Sequence, residues 1–174
     1  DEVKLFDESV RRGEDWELNL RIRNAGHSVW FDPSLEVTYW PRESWPKLVR
    51  QFAATGIWRG ELVRRYPVRT PWRFFAPPLL VATIALSVLV LVLQLPGVLR
   101  GWPSTVLSVV YLGPAAYFVL LLLICFSRAG GPGWSDRWRF FLVLPTMHVS
   151  WGVGFIVGLV RGARDTVDTS RTGI

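Results

Sequence analysis

Three carboxylates, Glu14, Asp15 and Glu17, stand close together near the start of the chain. The residues after them have the apolar spacing of an amphipathic helix, which we expect to run from about residue 13 to residue 25 and to stop at Gly26. The backbone N–H groups and the dipole of a helix favour an anion in its first turn. We therefore expect chemistry to take place at these three carboxylates; the alternative is that the acidic residues only cap the helix.

Two short strands are predicted after this helix, at residues 28–31 and 35–40. The second alternates between apolar and polar side chains, and Asp32-Pro33 between the two is a turn signal. An order of helix, strand, turn and strand is typical of the trailing edge of an α/β domain. We therefore expect residues 1–41 to be the C-terminal part of an α/β catalytic domain.

Residues 42–59 return to helical spacing, with a tryptophan-bearing apolar face and a basic face opposite. This segment has too few apolar residues to cross a bilayer, and its composition suits a helix that lies among the lipid headgroups. Packing on the soluble part of the chain is the alternative. We assign residues 42–73 to this interface helix and a proline-containing linker.

Three apolar segments follow, at about residues 78–98, 105–126 and 140–160, within a transmembrane region of residues 74–163 that precedes a polar tail at 164–174. The first two are long enough to cross a hydrocarbon core of about 30 Å. Pro145 and His148 interrupt the third, which either spans the membrane or re-enters it. The third also carries a ladder of small residues that favours close helix packing. The ladder consists of Gly154, Gly158 and Gly162.

The net charge of +6 is concentrated in arginines, several of which directly precede the first apolar segment. Positive charge accumulates on the cytoplasmic flanks of membrane helices, so we expect a multi-pass protein of the inner (plasma) membrane with its N-terminal part in the cytoplasm. A third full span would carry Arg161 outside, which this rule disfavours. The arginines come without a motif for reading nucleic acid, so no nucleic-acid partner is expected. The single cysteine, Cys125, excludes a disulfide within the chain.

Several segments resemble a known enzyme family. Segments 6–8, 13–18, 24–27 and 31–33, which read Phe-Asp-Glu, Gly-Glu-Asp-Trp-Glu-Leu, Asn-Ala-Gly-His and Phe-Asp-Pro, resemble the C-terminal part of the catalytic domain of family 2 glycosyltransferases. Segments 39–44, 50–51, 56–59 and 147–155 resemble the succinoglycan-biosynthesis branch of the bacterial membrane-bound members. The resemblance implies a C-terminal fragment of such an enzyme, with a GT-A fold.

The resemblance also implies a reaction and a set of site residues. The reaction is an inverting transfer from a nucleotide-sugar donor to a lipid-linked saccharide, with a divalent metal, Mg²⁺ or Mn²⁺, on the diphosphate. Asp15 would be the general base, while Glu14 and Trp16 would bind the acceptor. Arg42, Gln51 and Arg59 would belong to the interface helix. The metal-binding Asp-x-Asp of the family has no match in residues 1–174, so we expect the metal ligands upstream and the fragment alone to be inactive.

These inferences predict a membrane glycosyltransferase that works in surface polysaccharide synthesis. The rival interpretation is a non-catalytic membrane anchor or assembly module, which would be favoured if no Asp-x-Asp preceded this chain. A transporter is a third interpretation, but the chain offers few spans and no internal repeat.

Overall fold

A computed structural model describes residues 3–40, 43–67, 71–127, 130–131 and 133–163. In these ranges the helices are α1 (Glu14–Asn24), α2 (Trp45–Arg65), α3 (Ala76–Gln94), α4 (Gly101–Leu107), α5 (Leu112–Phe126) and α6 (Trp134–Arg161), with 3₁₀ helices at Trp72–Phe75 and Ser108–Tyr111. Arg42 and the predicted tail at 164–174 lie outside the described residues. The chain divides into two compact units, one of residues 1–70 with 154–174 and one of residues 71–153, so α6 contributes to both.

The expected α/β architecture is wrong. No strand occurs among the described residues, and the segments at 28–31 and 35–40 have irregular structure. Alternation predicts which face of a strand would be buried, but the backbone N–H and C=O groups of a strand also need a neighbouring strand. The described residues provide no such neighbour, and the side chains stay in solvent, with Trp30 89% and Val37 88% exposed. The predicted turn between the segments does form, because the Leu35 N–H donates to the Asp32 carbonyl over 3.3 Å.

The predicted acidic helix is confirmed as α1, and Gly26 ends it. Gly26 has a φ of 86°, in the left-handed region that favours glycine. Its N–H donates to the Arg23 carbonyl, and the His27 N–H donates to the Ile22 carbonyl over 3.1 Å. This pair of bonds is the Schellman arrangement, which satisfies carbonyls at the end of a helix.

Helix α2 is the centre of the first unit. Its buried apolar side chains include Trp58, 2% exposed, and Leu62, 1% exposed, which form a core with Val10 and Ala163. The N-terminal turn of α2 is open, with Trp45 46% exposed. The C-terminal half of α2 therefore packs on the rest of this unit.

The glycine ladder of α6 packs closely, as predicted, and its partner is α2. A Cβ atom on Gly154 would collide with the Ala53 carbonyl, and one on Gly158 would collide with the Ile57 carbonyl. On the opposite side of the contact, a Cβ on Gly60 would collide with the Phe155 carbonyl. Only glycine allows backbones to approach this closely, so the ladder forms the surface of α6 on which α2 packs.

Three helical stretches in the described ranges are long and apolar enough to cross a membrane: Trp72–Gln94, Gly101–Phe126 and Trp134–Arg161. The third continues as one helix through Pro145, although the sequence predicts an interruption there. Within the second unit, polar groups of these stretches pair with one another. His148 Nδ1 lies 2.9 Å from the Tyr117 hydroxyl, and the Tyr111 hydroxyl donates to Gln94 over 2.8 Å.

Candidate active site

Glu14 and Asp15 occupy the exposed first turn of α1. Gly13 precedes this turn with a φ of 77°, and its Cα lies close enough to Leu62 that a Cβ would be in ordinary contact with that side chain at 3.6 Å. The Asp15 carboxylate accepts a hydrogen bond from the Trp16 N–H over 2.7 Å. The Asp15 carboxylate is thus open to solvent at a helix N-terminus, where the helix dipole favours its anionic form.

Trp16 is half-buried between α1 and α2. The guanidinium carbon of Arg59 lies 4.3 Å from the centroid of its ring, within the range of a cation–π contact. Burial lowers the pKa of Arg59, while the charge of Asp15 acts in the opposite direction. Helix α2 therefore places a positive charge over the ring of Trp16, the residue that follows Asp15. The same contact takes up part of the Trp16 ring surface that the sequence assigns to a sugar.

Glu17 is buried, in contrast to its two acidic neighbours. It is 1% exposed, although it is the third carboxylate of the same turn. The Tyr66 hydroxyl donates to its Oε1 atom over 2.8 Å, and the Arg21 Nε donates to the same atom over 2.8 Å. Glu17 raises the pKa of Arg21 through this bond, and burial followed by the bond to Glu17 raises the pKa of Tyr66.

Arg12 fixes the chain just before α1. Its Nη1 atom donates to the Gln51 carbonyl over 2.9 Å and to the Thr55 hydroxyl over 2.6 Å, and both of these residues belong to α2. The Gln51 side chain donates to the Tyr39 hydroxyl over 3.1 Å. Gln51 and Arg59, which the sequence assigns to an interface helix, therefore both lie on the helix that carries α1.

A second set of charges holds the N-terminal segment on the end of α2. Arg65 contacts the Asp7 carboxylate at 3.3 Å and the Ser9 hydroxyl at 3.0 Å, and its Nε donates to Glu61 over 2.9 Å. Hydrogen bonds from Ser9, followed by the charge of Arg65, lower the pKa of Asp7. These bonds make residues 7–10 part of the same packed unit as α1 and α2.

An open cavity of about 790 Å³ lies beside the Glu17 network. Arg21, Tyr66, Asp7 and Glu17 line it, together with backbone and side chains of the N-terminal segment. Among the described residues no group of three or more His, Cys, Asp or Glu side chains could hold a metal ion. The described part of the chain thus offers one exposed carboxylate turn, an adjacent arginine and a polar cavity, without a complete set of metal ligands.

Sequence reasoning missed the roles of Glu17, Tyr66 and Arg12. One signal was available, because Glu17 and Arg21 are four positions apart, the spacing at which a glutamate and an arginine pair on one helix face. The contacts of Tyr66 and Arg12 join residues 49 and 43 positions apart, and no local pattern predicts such pairs.

Comparison with known proteins gives one significant likeness. The chain is 29% identical over 70 residues to the dolichyl N-acetyl-α-D-glucosaminyl phosphate 3-β-D-2,3-diacetamido-2,3-dideoxy-β-D-glucuronosyltransferase of Methanococcus voltae. The match covers 40% of this chain and 22% of that protein, so the chain spans only a minor part of its relative's length. No family model matches the chain, and no solved structure matches it. The likeness supports a relationship to glycosyltransferases.

Proposed function

We propose that this chain is part of a membrane-bound glycosyltransferase that moves a sugar from a nucleotide-sugar donor to a lipid-linked saccharide. The observation that carries the proposal is the exposed Asp15 carboxylate in the first turn of α1, beside Arg59. The relative from Methanococcus voltae supports it, because its name describes transfer of a glucuronosyl group to a dolichyl-linked sugar phosphate. The three apolar helical stretches are consistent with an acceptor that resides in a membrane.

In the proposed reaction Asp15 acts as the general base. Its carboxylate takes the proton from an acceptor hydroxyl, whose oxygen forms a bond to the anomeric carbon of the donor sugar. The bond from that carbon to the diphosphate oxygen breaks on the opposite face, and the nucleoside diphosphate leaves with the electron pair. Attack opposite to the leaving group inverts the anomeric configuration.

Other residues of the first turn would hold the acceptor. Glu14 is exposed next to Asp15, where its carboxylate can accept hydrogen bonds from sugar hydroxyls. Trp16 would present the part of its ring that Arg59 leaves open to a sugar face. Arg59 supplies a positive charge near the reacting groups, where it can offset the negative charge of a phosphate.

A divalent metal on the donor diphosphate also belongs to the proposal, as does a role in surface polysaccharide synthesis. Such a metal, Mg²⁺ or Mn²⁺, would neutralise charge on the leaving diphosphate. Among the described residues no group of three or more His, Cys, Asp or Glu side chains could hold this metal.

The test is Asp15→Asn in the full-length protein, assayed with the relative's class of acceptor, a polyprenyl-linked sugar phosphate. The substitution keeps the shape of the side chain and removes its ability to take a proton. We expect transfer to fall at least about a hundredfold, the usual size of a lost general base, with donor binding unchanged. Near-normal turnover would refute the assignment and favour the anchor or assembly module.

Asp32→Asn is the matched control. Asp32 is also exposed and makes only local bonds, accepting from the Ser34 N–H over 2.9 Å and from the Ser34 hydroxyl over 2.7 Å. Asp32→Asn also removes one carboxylate charge, but at a position outside the first turn of α1. Transfer should stay at the wild-type rate.

A further inference from the structure

Glu17 is a carboxylate for which the proposed mechanism has no task. It is 1% exposed and forms part of the wall of the 790 Å³ cavity. Burying a carboxylate is unfavourable unless hydrogen-bond donors and positive charge surround it. A group retained under that condition fixes the elements that supply its partners.

Those partners come from two elements, α1 and the end of α2, and one of them, Arg21, also binds the N-terminal segment. Tyr66 follows the last residue of α2, and its hydroxyl donates to Glu17. Arg21 lies one turn further along α1 and donates to Glu17 through Nε and Nη2. The same guanidinium also donates to the carbonyls of Lys4 over 2.6 Å and Leu5 over 2.8 Å. One buried carboxylate therefore joins α1, the end of α2 and the N-terminal segment.

The bond to Tyr66 restrains α1 in a way that its apolar contacts do not. Apolar packing tolerates small rotations of a helix about its axis, whereas the hydrogen bond of 2.8 Å between the half-buried Tyr66 hydroxyl and the buried Glu17 carboxylate weakens steeply when its geometry changes. Glu17 lies in the same helical turn as Asp15, so a rotation that broke the Tyr66 bond would also move the Asp15 carboxylate.

We propose that Glu17 and Tyr66 are positioning residues, which set the rotation of α1 on α2 and thereby aim Asp15 at the acceptor hydroxyl. This inference rests on the proposed transferase function. Misplacement of a reacting group by about 1 Å can reduce a rate on the order of a hundredfold, even when the mutated residue does not touch the substrate.

The experiment uses Tyr66→Phe, Glu17→Gln and the double variant in the full-length enzyme, with kinetics for donor and acceptor. Tyr66→Phe keeps the ring and removes only the donated bond. We expect kcat to fall about tenfold or more, with the KM for the donor unchanged. Glu17→Gln keeps an acceptor oxygen for the Tyr66 hydroxyl but removes the charge that strengthens this bond and pairs with Arg21. If Tyr66 acts through Glu17, the loss in the double variant should be smaller than the product of the two single losses.

Tyr39→Phe serves as the matched control. Its hydroxyl takes part in a hydrogen bond with Gln51, but the side chain is 70% exposed and does not contact Glu17. This variant should retain the wild-type kcat. An unchanged kcat in Tyr66→Phe, or a loss that appears as a higher KM for the donor, would overturn the positioning role.

A measurement without catalysis separates this inference from the proposed function. Thermal midpoints in detergent of the wild type, Tyr66→Phe, Glu17→Gln and the double variant give a double-mutant cycle for the Glu17–Tyr66 pair. Non-additive midpoints are expected, and additive midpoints would refute the coupling. If the wild-type protein transfers no sugar to any acceptor while the cycle shows coupling, the transferase proposal has failed and the bond alone is supported.

Discussion

At the scale of single residues, neighbouring carboxylates in one helical turn have opposite environments. Successive residues in an α-helix are rotated by about 100°, so Asp15 and Glu17 project from nearly opposite sides of α1. Asp15 is exposed, whereas Glu17 is buried and fully paired. Carboxylates within one motif of four residues can therefore have different environments.

The sequence predicts that this turn is acidic and helical, but it does not predict which carboxylate is buried. Glu14, Asp15 and Glu17 have the same charge, and the apolar stripe of α1 is too weak to orient the helix by itself. The orientation follows from Tyr66 and Arg59, which approach from α2. These are contacts between distant parts of the chain, and local spacing carries no information about them.

Tyr66 should make the stability of the protein sensitive to alkaline pH. Its pKa is raised above the ordinary value of 10.0 by burial and by its bond to Glu17, so folding favours the neutral phenol. That contribution is complete below pH 10.0 and is lost as the pH rises through the folded-state pKa. We expect the thermal midpoint of the wild type to fall more steeply above this pH than that of Tyr66→Phe. Melting curves from about pH 8 to about pH 11 measure the difference.

The exposed phenol of Tyr39 provides the comparison for the alkaline series. Tyr39→Phe should follow the wild-type curve, because its ring is largely in solvent. Identical slopes in wild type and Tyr66→Phe would show that the Tyr66 phenol does not contribute.

At the scale of elements, periodicity predicts the helices and fails for the strands. The backbone N–H and C=O groups of a helix bond to each other within the helix and need no other element. Helices α1 and α2 therefore form where the 3.6-residue pattern predicts them. The alternating pattern of residues 35–40 needs a partner strand that the described residues do not contain. Pro145 does not break α6, because proline is tolerated within helices of membrane proteins when the freed backbone groups are satisfied elsewhere.

The glycine ladder is a further element whose existence, but not whose partner, can be predicted. Small residues at every fourth position indicate a close approach by another helix. They do not distinguish an apolar neighbour from α2, which carries charged residues on its other faces. The match between Gly60 on α2 and Phe155 on α6 is visible only in the structure.

A larger side chain at a position of the glycine ladder should separate α2 from α6. In Gly158→Leu the new side chain would collide with the backbone of α2 at Ile57, and backbone cannot yield as a flexible side chain can. Overpacking of this kind costs about 1–3 kcal/mol or more. We expect a lower thermal midpoint in detergent and faster proteolysis within α2. Val160→Leu is the control, because Val160 is 72% exposed. An equal fall of the thermal midpoint in both variants would contradict the packing of α2 on the glycine ladder.

At the scale of the whole molecule, the distribution of arginines predicts the sidedness of the chain. The test is labelling with a membrane-impermeant thiol reagent in a Cys125→Ala background, which removes the single native thiol. Lys47→Cys should react only from the cytoplasm, and Trp102→Cys should react from outside, because the loop before α4 carries a single arginine. Both native side chains are exposed, so the reagent can reach them.

Arg161→Cys tests the packing of α6 on α2. The end of α6 packs on α2, so both segments should lie at the same face of the membrane. We therefore expect Arg161→Cys to react from the same side as Lys47→Cys. Labelling of these two positions from opposite sides would contradict the packing of Gly158 on Ile57.

The packing of α2 on α6 also has a consequence for biosynthesis. Val10, which covers one part of the Trp58 and Leu62 core, leaves the ribosome before α2, whereas Phe155 and Ala163 are made only after all the intervening apolar helices. At elongation rates of about 5–20 residues per second, α2 waits on the order of ten seconds with one apolar side uncovered. During that interval the nascent chain is dependent on whatever shields α2 from aggregation. Helix α2, on which α1 packs, is thus fully covered only after α6 has been translated.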